Sequence, residues 1–288
     1  MIDHLTFCIS DENGAWARIE RDFCGRLPLR NLIWKGGLTQ APRFIEQLNV
    51  KVIKDTGLGE GEPAQGTGEH TEGGGGAIEQ PPPLLNLLVI DADCDSDAYK
   101  AAVRPRVKAW VARAAARRGC GWLVVYVPGA SEAQRMDAAQ GKFLTARAST
   151  FDRLRSDFQA KKEPTHVHLL RSDLVESWNA LFLGIRDLAV ASLEERVARM
   201  SAEIRRMDAN RMLPGWNYCR FFLLKEPLIQ LHRLLGLRAE ALAQYDELEA
   251  VFAQLLAARS LAWFSPRFGG DQPQDDLGDL LLDTSRRA

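Results

Sequence analysis

Two aspartates directly after an apolar stretch form the pattern in this sequence that most suggests chemistry. Asp91 and Asp93 follow the run 84–90, Leu-Leu-Asn-Leu-Leu-Val-Ile. Carboxylates at the carboxyl end of a buried parallel strand lie where α/β sheets bind ligands and metals. Such a pair could hold Mg²⁺ and serve as nucleophile and general acid or base.

Phosphatases of the haloacid dehalogenase type carry an Asp-x-Asp pair of this kind. Residues 278–283 imitate the later acidic motif of these enzymes, but they lie in a terminal tail rather than behind a strand. We favour a structural interpretation, in which one of residues 95–97 caps the following helix and Asp91 and Asp93 face solvent. We therefore expect no catalytic residues, and a phosphatase using Asp91 and Asp93 is the alternative function.

Patterns for nucleotides and metals are incomplete elsewhere in the chain. Gly141-Lys142 lacks both the first glycine and the hydroxyl residue of a P-loop. His166 and His168 share one face of a predicted strand, but without a third ligand nearby we interpret them as structural. We expect no cofactor-binding residues, no metal-binding residues and no cofactor.

Seven basic side chains between residues 100 and 118 could contact an acidic partner or anionic lipid. They are Lys100, Arg104, Arg106, Lys108, Arg113, Arg117 and Arg118. Their spacing scatters them around a helix that Pro105 interrupts, so a solvated helix is favoured. The net charge of −1 over 288 residues gives no global attraction to nucleic acid or to an anionic membrane.

Composition and cysteine usage indicate a soluble intracellular protein. Hydrophobic residues make up 46% of the chain, enough for a sizeable core. The cysteines are five in number, widely separated and without a C-x-x-C pair, so we expect reduced thiols rather than a disulfide framework or a zinc site. The amino terminus lacks the pattern of a signal peptide, and no apolar run is long enough to span a bilayer.

The pattern of apolar runs in residues 1–170 predicts an α/β domain with a mostly parallel sheet, GTPase-like but without a P-loop. The predicted strands are 5–9, 31–34, 50–53, 84–90, 122–127 and 165–170. Two helices are predicted, at 97–118 and 131–160. The nearly continuous apolar character of 84–90 and 122–127 is typical of central strands covered on both faces.

From residue 171 to residue 264 the pattern predicts helical hairpins that begin an α-solenoid. The predicted helices are 173–190, 193–210, 216–235 and 239–260. In the last of them an apolar stripe, formed by Leu242, Tyr245, Leu248, Phe252 and Leu255, lies opposite a polar side formed by Glu240, Gln244, Glu247 and Gln254. We expect Glu247 to be exposed and replaceable without loss of stability. A free-standing helical-repeat module that binds peptides is a further alternative function.

Two segments lack the apolar residues that a core requires. Residues 55–83 contain four consecutive glycines and end in three prolines, which predicts a disordered insertion. Residues 265–288 form a tail. Because loop-closure entropy changes slowly with length, we expect removal of residues 56–80 to leave the fold nearly unchanged.

Three ordered blocks resemble the subunit-10 family of the transport protein particle (TRAPP) II complex. They are LLVID (87–91) followed by DAYKAAVRPRVKAW (97–110), then FDRLRSDF (151–158), then CRFFLLKE (219–226) followed by ALAQYDELEAVF (241–252). Three blocks in order are far more specific than one. Members of this family are considerably longer, so the chain resembles an amino-terminal part of one.

The resemblance implies a non-catalytic scaffold or tethering subunit in Golgi vesicle trafficking. The implied partners are other TRAPP subunits, a Rab-family GTPase reached through the complex, and the Golgi membrane as a peripheral contact. Nucleotide exchange on the Rab protein would belong to the core of the complex. The implied location is the cytoplasm and the surface of trans-Golgi network membranes, and no nucleic acid is implied as a partner.

Overall fold

The computed structural model describes residues 4–34, 42–55, 82–130, 132–134, 149–159, 166–213 and 216–257. The chain divides into two compact units, residues 1–198 and residues 199–288. The predicted insertion lies outside the described residues except for Asp55, Pro82 and Pro83, and the predicted tail lies wholly outside them. The predicted domain limits at residues 170 and 264 stay predictions.

Strands and helices alternate in the first unit, and the second unit is helical. In chain order the elements are β1 (Leu5–Glu12), α1 (Ala15–Cys24), β2 (Leu29–Trp34), β3 (Arg43–Leu48), β4 (Val50–Lys54), β5 (Leu85–Ile90), α2 (Ser96–Ala98), a π-helical turn (Tyr99–Val103), α3 (Arg104–Ala116), β6 (Gly121–Tyr126), α4 (Thr150–Phe158), β7 (Val167–Leu169), α5 (Val175–Ala209), α6 (Tyr218–Leu234) and α7 (Arg238–Ala257). Helix α5 begins in the first unit and ends in the second. Within the described ranges, none of the helices combines the length and the hydropathy needed to cross a membrane.

Five parallel strands form the main sheet in the order β4-β1-β5-β6-β7. The prediction of a mostly parallel sheet followed by a helical region is confirmed. All six residues of β5 are buried, as its unbroken apolar sequence predicts. In this order β4 lies on one side of β1, and β5 lies on the other. The carboxyl ends of β1 and β5 therefore form the switch point at which sheets of this kind bind ligands.

A hydrophobic cluster lies where strands β5, β6 and β7 meet helices α3 and α4. Leu88, Val107, Val124 and Leu154 are among its fully buried members. Burying an aliphatic side chain of this size stabilises a fold by about 1.5–3 kcal/mol. The cluster fixes the position of the sheet edge at which β5 and β6 end.

Strands β2 and β3 form a separate antiparallel hairpin. The sequence predicts β2 but not β3, because the string RFIEQL mixes apolar and polar residues without strict alternation. Asn49 separates β3, which pairs with β2, from β4, which pairs with β1. Ile33 and Phe44 face each other across the hairpin and are 60% and 62% exposed.

The helix before β6 does not break at Pro105. Proline removes a backbone donor and crowds the preceding turn, so it ordinarily interrupts an α-helix. Here the π-helical turn precedes it, and the Arg104 amide donates to the Tyr99 carbonyl, five residues back. The wider turn lets the helical path continue from Ser96 to Ala116.

Two predicted helix limits are wrong. The predicted helix 131–160 is not continuous, because Ser149 is extended and its hydroxyl accepts from the Asp152 amide to begin α4. The predicted helices 173–190 and 193–210 are instead the single helix α5. Neither residue at the expected break is glycine or proline, and the Ser192 hydroxyl donates to the Leu188 carbonyl at 2.8 Å within the helix.

The ends of the predicted insertion are fixed by the sheet. The Asp55 amide donates to the Ile9 carbonyl at 2.7 Å, and the Leu84 amide donates to the Thr6 carbonyl at 2.7 Å. These bonds lie on opposite edges of β1, because β4 and β5 flank it. The positions of these two ends argue against the prediction that residues 56–80 can be removed outright, because a direct junction would have to join the two sides of β1.

In the second unit α6 and α7 form an antiparallel hairpin that turns at Gly236. Gly236 has φ +73°, a left-handed conformation that ends a helix at little cost in glycine. The Tyr218 ring lies 5.3 Å from the Phe252 ring, and its hydroxyl donates to the Leu248 carbonyl at 3.1 Å. The predicted apolar stripe is partly wrong, because Leu242 is 60% exposed. Ala241 and Val251 are buried on α7 together with Leu248.

A buried lysine pairs with Glu247, which the sequence predicts to be replaceable. Lys225 on α6 has a side chain that is 1% exposed, and its ammonium donates to a carboxylate oxygen of Glu247 on α7. The ammonium also lies 5.3 Å from the centre of the Phe221 ring. The Glu247 side chain is 63% exposed, as the sequence predicts. Its pairing argues against free replacement, because removing the partner of a buried charge leaves that charge uncompensated.

We expect Glu247→Gln to lower the free energy of unfolding by about 1–3 kcal/mol, because the amide offers the Lys225 ammonium no charge. Glu249→Gln, on the exposed side of the same helix, is the matched control and should change it by less than about 0.5 kcal/mol. Adding Lys225→Met to Glu247→Gln should recover most of the loss. Chemical denaturation measures all three, and equal stability of the two glutamine variants would contradict the buried pair.

Candidate functional site

The candidate site is the sheet edge at which β1 and β5 end. It brings together Asp11 and Glu12 from β1 with Asp91 and Asp93, which follow β5. In doubly wound sheets this edge receives phosphates or metal ions. Its chemistry therefore depends on whether these carboxylates are available.

The connection between β1 and α1 consists of Asn13 and Gly14 alone. Both residues have positive φ, 67° and 70°. The Trp16 amide in the first turn of α1 donates to the Asp11 carboxylate at 3.0 Å. A helix amino terminus is where a P-loop binds phosphate, and here a carboxylate of the chain occupies that position. Two residues are also too few to form the eight-residue P-loop.

Asp91 is held by two side chains from the other side of the switch point. An amino group of Arg18 donates to the Asp91 carboxylate at 2.8 Å and to the Val127 carbonyl at 3.1 Å. The Asn13 side-chain amide donates to the Asp91 carbonyl at 2.7 Å. Asp91 is therefore an ion-paired bridge between α1, β5 and the end of β6, and the expectation that it simply faces solvent is wrong.

The other residues of the Asp-x-Asp region also have structural contacts. Asp95 caps α2, since its carboxylate accepts from the amides of Asp97 and Ala98 at 3.0 and 2.8 Å. The capping interpretation of residues 95–97 is therefore confirmed. Asp93 is exposed, as expected for a solvated carboxylate.

Tyr126 closes the edge at the end of β6. Its hydroxyl contacts the Ala92 carbonyl at 3.2 Å and the carboxylate of the buried Glu132. Burial first, then the hydrogen bond to Glu132, raises the pKa of Tyr126 well above its ordinary value. The phenol therefore stays protonated at neutral pH and acts as a donor, which fixes Ala92, after β5, to Glu132 in the helical residues that follow β6.

The two histidines contact their own surroundings. The His166 ring stacks on the Trp122 ring at 4.2 Å, and its Nδ1 lies 2.9 Å from the Trp122 carbonyl. The His168 ring lies against Gly184 of α5, where a Cβ would come within 2.5 Å of it. In the part of the chain that the structure describes, no three His, Cys, Asp or Glu side chains come together as a metal site.

The basic helix is partly neutralised by carboxylates of the first unit. Arg104 pairs with Asp157 at 3.0 Å, and Arg106 pairs with Glu12 at 3.4 Å. Lys100, Lys108 and Arg113 are exposed, together with Arg118. These contacts agree with the scattered arrangement that the sequence indicates.

All five cysteines are free, as expected from their spacing. Burial raises the pKa of the Cys8 thiol to about 11, so this thiol is protonated at neutral pH. The Asn86 amide donates to the sulfur of the buried Cys120 at 2.8 Å. These thiols are part of the packed interior and not a reactive pair.

Arg18 and Asn13, the residues that close the site, are not predicted from the sequence. Helix α1 carries a usable signal, because Ala15, Trp16, Ile19 and Phe23 repeat at helical spacing and are all buried. Arg18 lies on the same helix but outside that repeat. Its pairing with Asp91, 73 residues away, depends on the strand order and cannot be read from local spacing.

Comparison with known proteins identifies the family of the chain. Residues 1–211 match the family described as "Trafficking protein particle complex subunit 10-like, N-terminal". The chain belongs to this family. The matched range includes β1, β5 and the whole candidate site, so the closed switch point lies within the family's amino-terminal domain.

Relatives from distant organisms align with most of the chain. "Trafficking protein particle complex subunit 10" of Dictyostelium discoideum is 27% identical over 284 residues, covering 88% of this chain and 18% of that protein. The protein of the same name from Mus musculus is 28% identical and covers 87% and 19%. "Trafficking protein particle complex II-specific subunit 130 homolog" of Oryza sativa is 26% identical and covers 97% and 21%.

The chain thus spans about a fifth of the length of these subunit-10 and subunit-130 relatives. No solved structure matches it.

Proposed function

We propose that the chain is the amino-terminal part of a non-catalytic scaffold or tethering subunit of the TRAPP II complex. The observation that carries this proposal is the occupied switch point, where Asp11 caps α1 and Arg18 pairs with Asp91. The names of the relatives support assignment to a TRAPP complex. The occupied edge supports the non-catalytic part of the proposal, in which the chain acts through its surface.

The proposed partners are other TRAPP subunits and, through the complex, a Rab-family GTPase. In this proposal the core of the complex exchanges the nucleotide of the Rab protein, and this chain supports the assembly. Its location is the cytoplasm and the surface of trans-Golgi network membranes, where its own membrane contact is peripheral.

We further propose a GTPase-like architecture without nucleotide binding for the α/β domain, residues 1–170. The support is the path of the chain, in which α1 follows β1 and an antiparallel hairpin then returns beside β1 through β4. The two-residue connection after β1 supports the absence of a P-loop.

Residues 171–264 are proposed as the start of an α-solenoid, followed by the tail at 265–288. Antiparallel packing of α6 on α7 supports this proposal. Leu223 on α6 and Leu242 on α7 are 67% and 60% exposed. Exposed leucines on successive helices are typical of repeats that bury their outer surface against a neighbour.

We expect the purified chain to show neither phosphate-ester hydrolysis nor binding of GTP with Mg²⁺. There are two physical reasons. Arg18 forms an ion pair with the Asp91 carboxylate, and the connection between β1 and α1 is too short to form a phosphate-binding loop. A phosphatase assay with a generic aryl phosphate and binding of fluorescent GTP measure this. Turnover that Asp91→Asn removes while the fold remains intact would support the phosphatase alternative instead.

Assembly is tested by co-expressing the tagged chain with the other TRAPP subunits of one organism. We expect TRAPP subunits to be enriched over an unrelated α/β domain of similar size, as measured by quantitative mass spectrometry of the purified material. Asp91→Asn should retain that enrichment if the chain acts through its surface. A folded chain that enriches no TRAPP subunit would contradict the proposal.

A further inference from the structure

Two adjacent apolar side chains project from the connection between α5 and α6 in the second unit. Met212 is 92% exposed and Leu213 is 59% exposed. A side chain as exposed as Met212 makes little contact with the described part of its own chain, so this pair, the apolar tip, protrudes into solvent. Single exposed apolar residues are common on protein surfaces, but neighbouring ones at a protrusion indicate an interaction.

Hydrogen bonds hold the backbone around the apolar tip. The Arg211 amide donates to the Asp208 carbonyl at 3.0 Å, and the Leu213 amide donates to the Asn210 carbonyl at 2.9 Å. The Leu213 carbonyl accepts from the Trp216 amide at 3.2 Å. Backbone groups without partners are costly to transfer from water to an apolar phase. Because these groups are already paired, that cost is reduced at the tip.

The apolar tip lies where three helices of the second unit come to an end. The Trp216 indole, after the tip, donates to the Met207 carbonyl in the last turn of α5 at 3.0 Å. The Arg211 guanidinium, before the tip, donates to the Gln254 side chain in the last turn of α7 at 3.2 Å. The end of α5, the start of α6 and the end of α7 therefore lie together around the tip.

Positive charge predominates at this end of the unit. Residues 203–220 contain four arginines and two carboxylates, and residues 250–257 at the end of α7 contain no charged side chain. Each carboxylate pairs with an arginine of the same segment, Glu203 with Arg206 at 3.9 Å and Asp208 with Arg211. The two other arginines therefore give the segment its positive excess.

These two arginines, Arg205 and Arg220, are exposed. Arg205 lies four residues before the end of α5, and Arg220 lies two residues after the start of α6. At a rise of about 1.5 Å per residue, they are about 6 Å and about 3 Å from those helix ends. Both distances are shorter than the Debye length of about 8 Å at physiological ionic strength. An anionic surface that contacts the tip is therefore attracted by both guanidinium groups.

We propose that the apolar tip inserts into the interface of a membrane that carries anionic phospholipids. Met212 and Leu213 enter the boundary between headgroups and acyl chains, and Arg205 and Arg220 contact the headgroups. A bilayer receives protruding side chains without a matching shape. A specific protein interface buries about 800 Å² on each partner, much more than two side chains supply. The inference rests on the peripheral membrane contact in the proposed function, and it names the residues that make this contact.

The test measures binding of the whole chain to sucrose-loaded vesicles by sedimentation, without any TRAPP subunit. One set of vesicles is phosphatidylcholine alone, and the other contains about 30% phosphatidylserine to supply negative surface charge. We expect partitioning at least about tenfold stronger on the anionic vesicles, and weaker partitioning as the salt concentration rises. No binding to the anionic vesicles, or equal binding to both sets, would overturn the proposal.

Serine variants test the apolar tip itself. The double variant Met212→Ser with Leu213→Ser should partition at least about tenfold more weakly on the anionic vesicles, because it removes the apolar surface that leaves water. Leu223→Ser is the matched control, since it removes a leucine of α6 that is 67% exposed and lies outside the tip. It should bind as the wild type does. A folded double variant that binds like this control would contradict insertion.

Neutral variants test the electrostatic part. Arg205→Gln with Arg220→Gln should reduce the preference for anionic vesicles at least about fivefold and leave binding to phosphatidylcholine unchanged. An undiminished preference in the folded variant would contradict the assigned role of these arginines. Circular dichroism establishes that every variant is folded.

Co-purification with TRAPP subunits separates this inference from the proposed function. A serine double variant that keeps vesicle binding but loses TRAPP subunits would assign the tip to a protein partner and overturn the proposal. A wild-type chain that binds anionic vesicles through the tip but enriches no TRAPP subunit would contradict the proposed function alone.

Discussion

Joining Asp55 directly to Pro81 is expected to abolish cooperative folding of the first unit. The Ile9 and Thr6 carbonyls that hold the two flanks lie on opposite edges of β1 and three residues apart along it. With strands about 4.8 Å apart and a rise of about 3.3 Å per residue, the flanks are about 14 Å apart on a line that passes through β1 itself. The three remaining prolines extend only about 3.1 Å each, so they cannot pass over the sheet.

Replacing residues 56–80 by about a dozen Gly and Ser residues should restore folding, because a crossover between parallel strands needs about that length. Thermal unfolding followed by circular dichroism distinguishes the two chains. We expect a cooperative transition near that of the wild type for the linker chain and none for the direct junction. A direct junction that melts like the wild type would show that β4 and β5 are not both parallel neighbours of β1.

Arg196→Ala is expected to lower the free energy of unfolding by about 3–5 kcal/mol, a large fraction of a domain's stability. Arg196 lies on α5 and is 7% exposed. Its Nε donates to the Gly119 carbonyl at 2.6 Å, and one amino group donates to the carbonyls of Pro82 and Pro83. Alanine would leave these buried acceptors without the donors that now satisfy them.

Arg196→Lys should recover only part of the loss, because one ammonium cannot reproduce the fixed geometry of three bonds from a planar guanidinium. Glu195→Ala, on the exposed side of the same turn, is the matched control and should change stability by less than about 0.5 kcal/mol. Urea denaturation measures these differences. Arg196→Ala with the stability of Glu195→Ala would refute the assigned role.

The central part of the sheet is predictable from the sequence because burial on both faces leaves a continuous apolar string. This applies to β5 and β6, whose limits agree with the prediction to within one residue. Strand β3 is not predictable in this way. Its exposed face carries the apolar Phe44 as well as Glu46, so apolar and polar residues do not alternate along the strand. Its pairing with β2 comes from tertiary structure, which propensity does not encode.

The place of Asp91 at the sheet edge is predictable from the sequence, but its ion pair with Arg18 is not. The position of Asp91 follows from a local rule, since a carboxylate directly after a buried parallel strand lies at the edge of the sheet. The partner Arg18 depends on which strands are neighbours, and this is a long-range property. Glu247 shows the same limit of prediction from local sequence. A helical wheel places this glutamate on the exposed side, but it does not show that its partner Lys225 is buried on another helix.

An anion in solution would have to displace the Asp11 carboxylate to bind the Trp16 amide at the amino terminus of α1. A tethered carboxylate competes with free phosphate at the effective concentration of an intramolecular group, which reaches the millimolar range or more. A ligand shifts a conformational equilibrium only by its differential affinity for two states, and a site filled in the resting state offers little of it. A metabolite anion at this sheet edge would therefore have to compete with a carboxylate that the chain itself supplies.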